Sequence, residues 1–151
     1  MTLKTDKIFP RNGKAGDGGG IIQVVQTVMT AQFTTASVVS SGGYVDITGL
    51  AVTITPQSAS NKILVRAVIY NSNNAQVNFF RVLRGSTFIN QPDGTSSSGA
   101  SYNAHAHAYY DHQFQDNTTI ELLDSPASTS ATTYKIQMGV TGSTGTINKF
   151  Y

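Results

Sequence analysis

The feature that most constrains the fold is a series of short runs in which apolar and polar residues alternate. The clearest run is TTYKIQMGV (132–140), where Tyr134, Ile136, Met138 and Val140 share one parity. A period of two places such side chains on one face of a β-strand. No stretch of eleven or more residues keeps the 3.6-residue apolar period of an amphipathic helix. We therefore expect almost no helix.

Turn-forming stretches such as SSGG, PQSASN, QPDG and DSPASTS separate the runs. Short strands at this spacing are typical of two antiparallel sheets packed face to face. The sequence therefore predicts an all-β, jelly-roll-like β-sandwich of about eight antiparallel strands over residues 21–151. The other predicted strands are 21–29, 44–56, 62–70, 76–85, 86–90, 101–110, 118–123 and 145–151.

Residues 1–20 differ from the rest and predict a flexible N-terminal arm. The arm ends in GKAGDGGG, which is too rich in glycine for a regular element. It has four basic and two acidic residues, and the remaining chain is neutral. One interpretation is a disordered terminus; the other is a tether that docks on another protein. The docking residues would be the basic side chains and apolar pair Lys4, Lys7, Ile8, Phe9 and Arg11.

The three histidines lie close together in NAHAHAYYDH (103–112). In a strand, His105 and His107 share a face, and two imidazoles supply half of a tetrahedral zinc site. No other ligand is obviously placed near them, so we expect an exposed strand face with alanines packed opposite. A ring of histidines around a threefold axis is the alternative. No metal or other cofactor is predicted.

Catalysis is not expected either. Glu121 and Asp124 are not placed to face one substrate, and Asp124 precedes Ser125 and Pro126, where its carboxylate can accept from turn amides. The sequence has neither a G-x-S-x-G elbow nor a phosphate-binding glycine loop. It has no cysteine, so disulfides and thiolate metal sites are excluded.

Other partner classes are similarly constrained. The body carries no basic stripe for nucleic acid, and no apolar run reaches the roughly 20 residues that span a bilayer. We expect no nucleic-acid partner and no membrane partner. Two asparagine-containing stretches, 71–76 and 91–103, could bind sugars together with nearby tyrosines, or could be ordinary loops. The tyrosines are Tyr70, Tyr102, Tyr109 and Tyr110.

Four stretches together resemble a β-sandwich module of tailed-phage virion proteins: GGGIIQVVQTV, YVDITGLAVTITPQSASNKILV, VLRGSTFI and LLDSPASTSATTYKIQ. The module is found at the tips of tail fibres and tailspikes and in capsid cement (decoration) proteins, notably of cyanobacterial phages. The opening LKTDKIFPRNG resembles the leader of many fibre proteins. The resemblance implies a homotrimer and no catalytic residues.

The run 21–29 is apolar on both parities, so a strand there would have more apolar surface than one thin sandwich can cover. A trimer interface would bury the surplus. We place Ile21, Val25 and Met29 at the trimer interface. A tail fibre needs an attachment domain and a long shaft before its tip, and only about twenty residues precede the sandwich. We therefore expect a capsid cement protein. It would be assembled in the host cytoplasm and bound as a trimer to the major capsid protein on the outer surface of the virion. The alternative is a receptor-binding fibre or tailspike tip that recognises a host surface glycan.

Overall fold

The chain is represented by a computed structural model that describes residues 21–73, 77–90, 104–109 and 115–148. Within these ranges there are nine β-strands, and one 3₁₀ turn, Val39–Ser41, between the first two. The strands are β1 Phe33–Thr35, β2 Val45–Ile54, β3 Ile63–Asn73, β4 Val77–Arg84, β5 Thr87–Phe88, β6 Ala106–Tyr109, β7 Gln115–Asp124, β8 Thr132–Val140 and β9 Gly145–Ile147.

The strands form two antiparallel sheets. The first has the order β1-β9-β3-β7, and the second has the order β2-β8-β4, with β5 and β6 pairing with opposite ends of β4. When β5 and β6 are counted as one position, the chain passes between the sheets in the strand order of a jelly roll. The predicted all-β sandwich is therefore confirmed.

Most of the predicted strands are present. The alternating run 132–140 coincides with β8, and its apolar side chains Tyr134, Ile136, Met138 and Val140 are all buried. The run 62–70 lies in β3, and the run 118–123 lies in β7. β8 succeeds as a prediction to the residue because only one of its faces is covered by the core, which enforces the period of two.

The predicted strand 21–29 is wrong. Residues 21–30 have no strand pairing, and the first regular strand is β1, which begins at Phe33. An apolar run becomes a strand only when another strand accepts its backbone groups, and no described strand of this chain pairs with it. β1 has three residues, too few for an alternating pattern to be visible in the sequence.

The core lies between the sheets and is filled by aliphatic and aromatic side chains from both. Phe80, Val82 and Met138 of the second sheet are fully buried, and Ile69 and Ile120 of the first sheet lie in the same cluster. Toward the other end of the sandwich, Ile63, Val65 and Ala67 of β3 face this cluster but are only partly buried. The core is therefore closed at one end and incompletely covered at the other.

Candidate interaction surface

The most exposed apolar segment is 21–28, IIQVVQTV. Every residue of the segment is exposed, and the exposed fraction reaches 84% for Ile21, 74% for Val24 and 78% for Val28. The segment carries no charge. A contiguous apolar surface of this kind marks an interaction site in soluble proteins.

The segment is joined to the sandwich at its C-terminal end. The Thr27 hydroxyl donates to the Gly49 carbonyl at 3.3 Å, and the side chain of Met29 lies beside Gly49 and against the core. The Asn148 amide donates to the Met29 carbonyl at 2.7 Å. Of the residues predicted at the trimer interface, Ile21 and Val25 are exposed and Met29 is half-buried in its own chain. Their place in an interface stays a prediction.

The outer face of the first sheet also carries exposed apolar side chains. Leu64, Val68 and Leu123 are 51–61% exposed, and Leu64 lies directly opposite Leu123 in the β3–β7 register. Between them is one exposed ion pair, Arg66 with Glu121 at 3.6 Å. We call Leu64, Val68 and Leu123 the outer stripe. Its signal was present in the sequence, because 62–70 is apolar on both parities.

β3 is paired fully on one side only. β7 follows it from Ile63 to Ser72, whereas β9 pairs with Asn71–Asn73 and Asn148 N donates to the Tyr70 carbonyl. In an antiparallel strand, alternate residues direct their N–H and C=O groups to the same side. Leu64, Arg66 and Val68 therefore direct theirs toward a side on which no described strand pairs with them. We call residues 63–69 on this side the open edge.

The outer face of the second sheet carries a polar cluster instead, and the side chains of this cluster bind one another. The Arg81 guanidinium lies 4.0 Å from the centre of the Tyr44 ring and donates from Nε to Gln137. Lys135 and Gln137 both donate to Asp46, and these hydrogen bonds hold the pKa of that carboxyl below its usual value. Burial raises the pKa of Tyr44 to about 12. The two outer faces therefore differ, and the one that carries the outer stripe is the candidate interface.

Both ring nitrogens of His105 contact backbone groups of other residues in the same chain. Its Nδ1 accepts from the Val82 N–H at 2.9 Å, and its Nε2 lies 2.7 Å from the Ile89 carbonyl, to which it can donate as the neutral tautomer. Phe88 contacts the ring edge-on. The prediction that His105 lies on an exposed strand face is wrong, because the residue is half-buried. This burial lowers the pKa of its imidazole.

The other histidine predictions are only partly covered. His107 lies in β6 opposite Phe79, but its side chain and the whole of His112 lie outside the described residues. In the described part of the chain, no group of three or more His, Asp or Glu side chains is arranged to hold a metal ion.

Asp124 does not bind turn amides as predicted. Its carboxylate is buried and accepts from Arg84 Nη1 at 2.9 Å and from the Tyr134 hydroxyl at 2.5 Å. Burial and this carboxylate together raise the pKa of Tyr134. The pair borders a shallow depression of about 370 Å³ lined by Arg84, Thr87, Phe88, Ile89, Asn90, Leu123, Asp124 and Ser125.

The asparagines at the end of β3 are interior residues. Asn78 Nδ2 donates to Asn71 Oδ1 at 3.0 Å, and Asn73 Nδ2 donates to Asn78 Oδ1 at 2.6 Å. All three side chains are at most 2% exposed, and they join β3 to β4 across the two sheets. Asn71 and Asn73 are therefore neither sugar ligands nor loop residues. The second asparagine-rich loop, 91–103, lies outside the described residues.

The predicted docking arm, with Lys4, Lys7, Ile8, Phe9 and Arg11, also lies outside the described residues. Within the described ranges, no helix is long and apolar enough to cross a bilayer.

The fold and surface define the chain as a jelly-roll β-sandwich with an exposed apolar stripe on the outer face of one sheet and a polar cluster on that of the other. The chain matches no model of a known protein family, and no curated protein matches it.

Proposed function

We propose that this protein is a structural component of a phage virion, a capsid cement protein that binds the outer surface of the major capsid shell as a trimer. The observation that carries the proposal is the number of large apolar side chains left in solvent. They are Ile21, Ile22, Val24, Val25, Val28, Leu64, Val68 and Leu123.

These side chains supply a driving force for association. Full burial of a valine, leucine or isoleucine contributes about 1.5–3 kcal/mol, so covering the remaining exposed area of the set offers on the order of 10 kcal/mol. Ordering costs reduce that sum, but it is comparable to the roughly 8 kcal/mol of a micromolar complex. Self-association through the apolar face is therefore a reasonable use of this sandwich.

The assignment to a virion rests on the resemblance of the sequence stretches named above. Two of them correspond to strand–loop–strand units of the sandwich: 44–65 joins β2 to β3, and 122–137 joins β7 to β8. The resemblance thus concerns both the strands and the turns between them, and it supports a virion module more than an unrelated sandwich.

The decisive experiment locates the protein and removes its arm. Cryo-electron microscopy of virions should show it at threefold positions on the shell, and density only on the tail would contradict the cement role. A chain lacking residues 1–20 should stay trimeric but lose binding to purified shells. Two variants separate the contributions of the arm: Ile8→Ser with Phe9→Ser keeps its charge, and Lys4→Ser with Lys7→Ser keeps its apolar pair. Undiminished shell binding by the truncated chain would refute the docking arm.

A receptor-binding tip is the second candidate, and the depression beside Phe88 favours it. The depression has a volume of about 370 Å³, within the range of small-molecule sites, and the aromatic ring of Phe88 is part of its lining. However, Arg84 and Asp124 bind each other, and Asn90 donates to the Leu123 carbonyl at 2.9 Å. Saturable glycan binding that is lost in Phe88→Ala would favour this candidate over the cement role.

A further inference from the structure

We propose that segment 21–28 of one copy adds as a strand to the open edge of β3 in a second copy. This inference rests on the self-association in the proposed function, but not on the capsid as partner. It assigns the donor and the acceptor of the contact between copies.

The acceptor offers backbone groups that no described residue binds, beside an incomplete core. Leu64, Arg66 and Val68 direct their N–H and C=O groups to the open edge, and the inward-facing Ile63 and Val65 are only partly buried there. A row of free backbone donors and acceptors is a template for a strand from another chain. A strand added here would both bind these groups and cover the exposed end of the core.

The donor has the pattern that such a position requires. A strand inserted beside β3 has one face toward the core and one toward solvent, and the segment is apolar on both parities. Its even positions include Ile22, Val24 and Val28, which suit the core face. Its odd positions include Ile21 and Val25, which would lie beside Leu64 and Val68 and widen the outer stripe.

The lengths also agree. The segment has eight residues before the half-buried Met29, and the open edge has seven, 63–69. Within one chain, Thr27 and Met29 lie against Gly49 of β2, in the opposite sheet. The segment therefore contacts β2 rather than pairing with the open edge of its own copy, and Ile21, Ile22 and Val24 lie in solvent. Donor and acceptor are different surfaces, so the contact is head-to-tail and can close into a ring of three.

The first test uses two variants that add the same charge one residue apart. Val24→Asp places a carboxylate on the predicted core face, and Gln23→Asp places it on the predicted solvent face. Burying an unpaired carboxylate is costly, so we expect Val24→Asp to weaken association by about 100-fold or more. Gln23→Asp should associate like the unmodified protein. Light scattering after size-exclusion chromatography gives the masses.

The second test mixes a donor-deficient copy with an acceptor-deficient one. Val68→Pro removes an N–H from the open edge and leaves the bonds from β3 to β7 intact, because Val68 directs its backbone groups away from β7. Each variant alone should be monomeric. The mixture of Val24→Asp and Val68→Pro should form a heterodimer, since one intact donor then meets one intact edge. Far-ultraviolet circular dichroism checks that both variants are folded.

The outcomes distinguish this inference from the proposed function. A monomeric unmodified protein at tens of micromolar would overturn both. Persistent trimers of Val24→Asp, or equal loss of association in Gln23→Asp and Val24→Asp, would overturn the strand insertion and leave the self-association standing. Folded variants that form no heterodimer would overturn the pairing with β3. If Val68→Pro does not fold, the comparison of Val24→Asp with Gln23→Asp still decides.

Discussion

His105 joins its own backbone segment to β4 and to the segment at Ile89. Its main-chain N–H donates to Phe80, its Nδ1 accepts from Val82, and its Nε2 contacts the Ile89 carbonyl. The accepting Nδ1 must stay unprotonated for the bond from Val82 to persist. The ring therefore acts as a neutral structural connector at the edge of the second sheet.

The lowered pKa of His105 predicts a pH dependence of stability. In the unfolded chain the imidazole takes up a proton near its ordinary pKa of about 6.5, whereas the folded protein resists this until lower pH. The contribution of His105 to the free energy of unfolding should therefore be constant above that value and fall as the pH drops from about 6.5. Urea unfolding at pH 8, 7, 6 and 5 measures it.

His105→Gln is the control for this pH dependence, because His107 and His112 remain. The variant should lose part of the decrease between pH 6.5 and pH 5, while the decrease at lower pH from carboxylates such as Asp46 persists. Identical curves for both proteins would contradict the assignment.

A second prediction at the residue scale compares two of the carboxylates of β7, Asp124 and Glu121. Asp124→Ala leaves the partly buried Arg84 and the buried Tyr134 hydroxyl without their acceptor, and should lower the free energy of unfolding by about 2–3 kcal/mol. Glu121→Ala removes only the exposed partner of Arg66 and should cost less than about 0.5 kcal/mol. Chemical denaturation compares them, and equal losses would contradict the role of Asp124.

At the scale of elements, β8 could be predicted to the residue and segment 21–29 could not. β8 lies between β2 and β4, so both its neighbours and its buried face enforce strict alternation. Segment 21–29 shows only that its side chains favour burial; the sequence does not say which strand accepts it. For the same reason the sequence did not predict the Asp124–Arg84 pair, whose members are 40 residues apart. Nor did it predict the asparagine network, in which Asn71 and Asn78 are seven residues apart.

Gly139 of β8 gives a prediction at this scale. A Cβ there would lie 2.4 Å from Val39 Cγ1 and 2.6 Å from the Gly43 carbonyl oxygen. The segment that contains the 3₁₀ turn, and therefore the connection from β1 to β2, packs directly on this backbone. Gly139→Ala should destabilise by about 1–3 kcal/mol through overpacking. Gly85→Ala is a useful comparison, since its Cβ meets no atom within 4 Å and its cost would come only from a φ of 60°. Thermal unfolding measures both.

At the scale of the whole molecule, association should be visible in the unfolding temperature. If subunits fold and associate together, mass action makes the midpoint depend on protein concentration. For a trimer of subunits this size, each tenfold increase in concentration should raise Tm by about 2–4 °C. Differential scanning calorimetry from 5 to 500 µM tests this, and Val24→Asp should show a constant Tm. A constant Tm in the unmodified protein would contradict coupled assembly.

The position of β9 has a consequence for biosynthesis. β9 lies between β1 and β3, so the earliest and the third strand of the chain join one sheet only after residues 145–147 have been made. Such long-range pairing makes folding slow. During translation, the pairings of β9 with β1 and β3 therefore form last among those of the described strands, and chaperones can bind the unpaired strands in that interval.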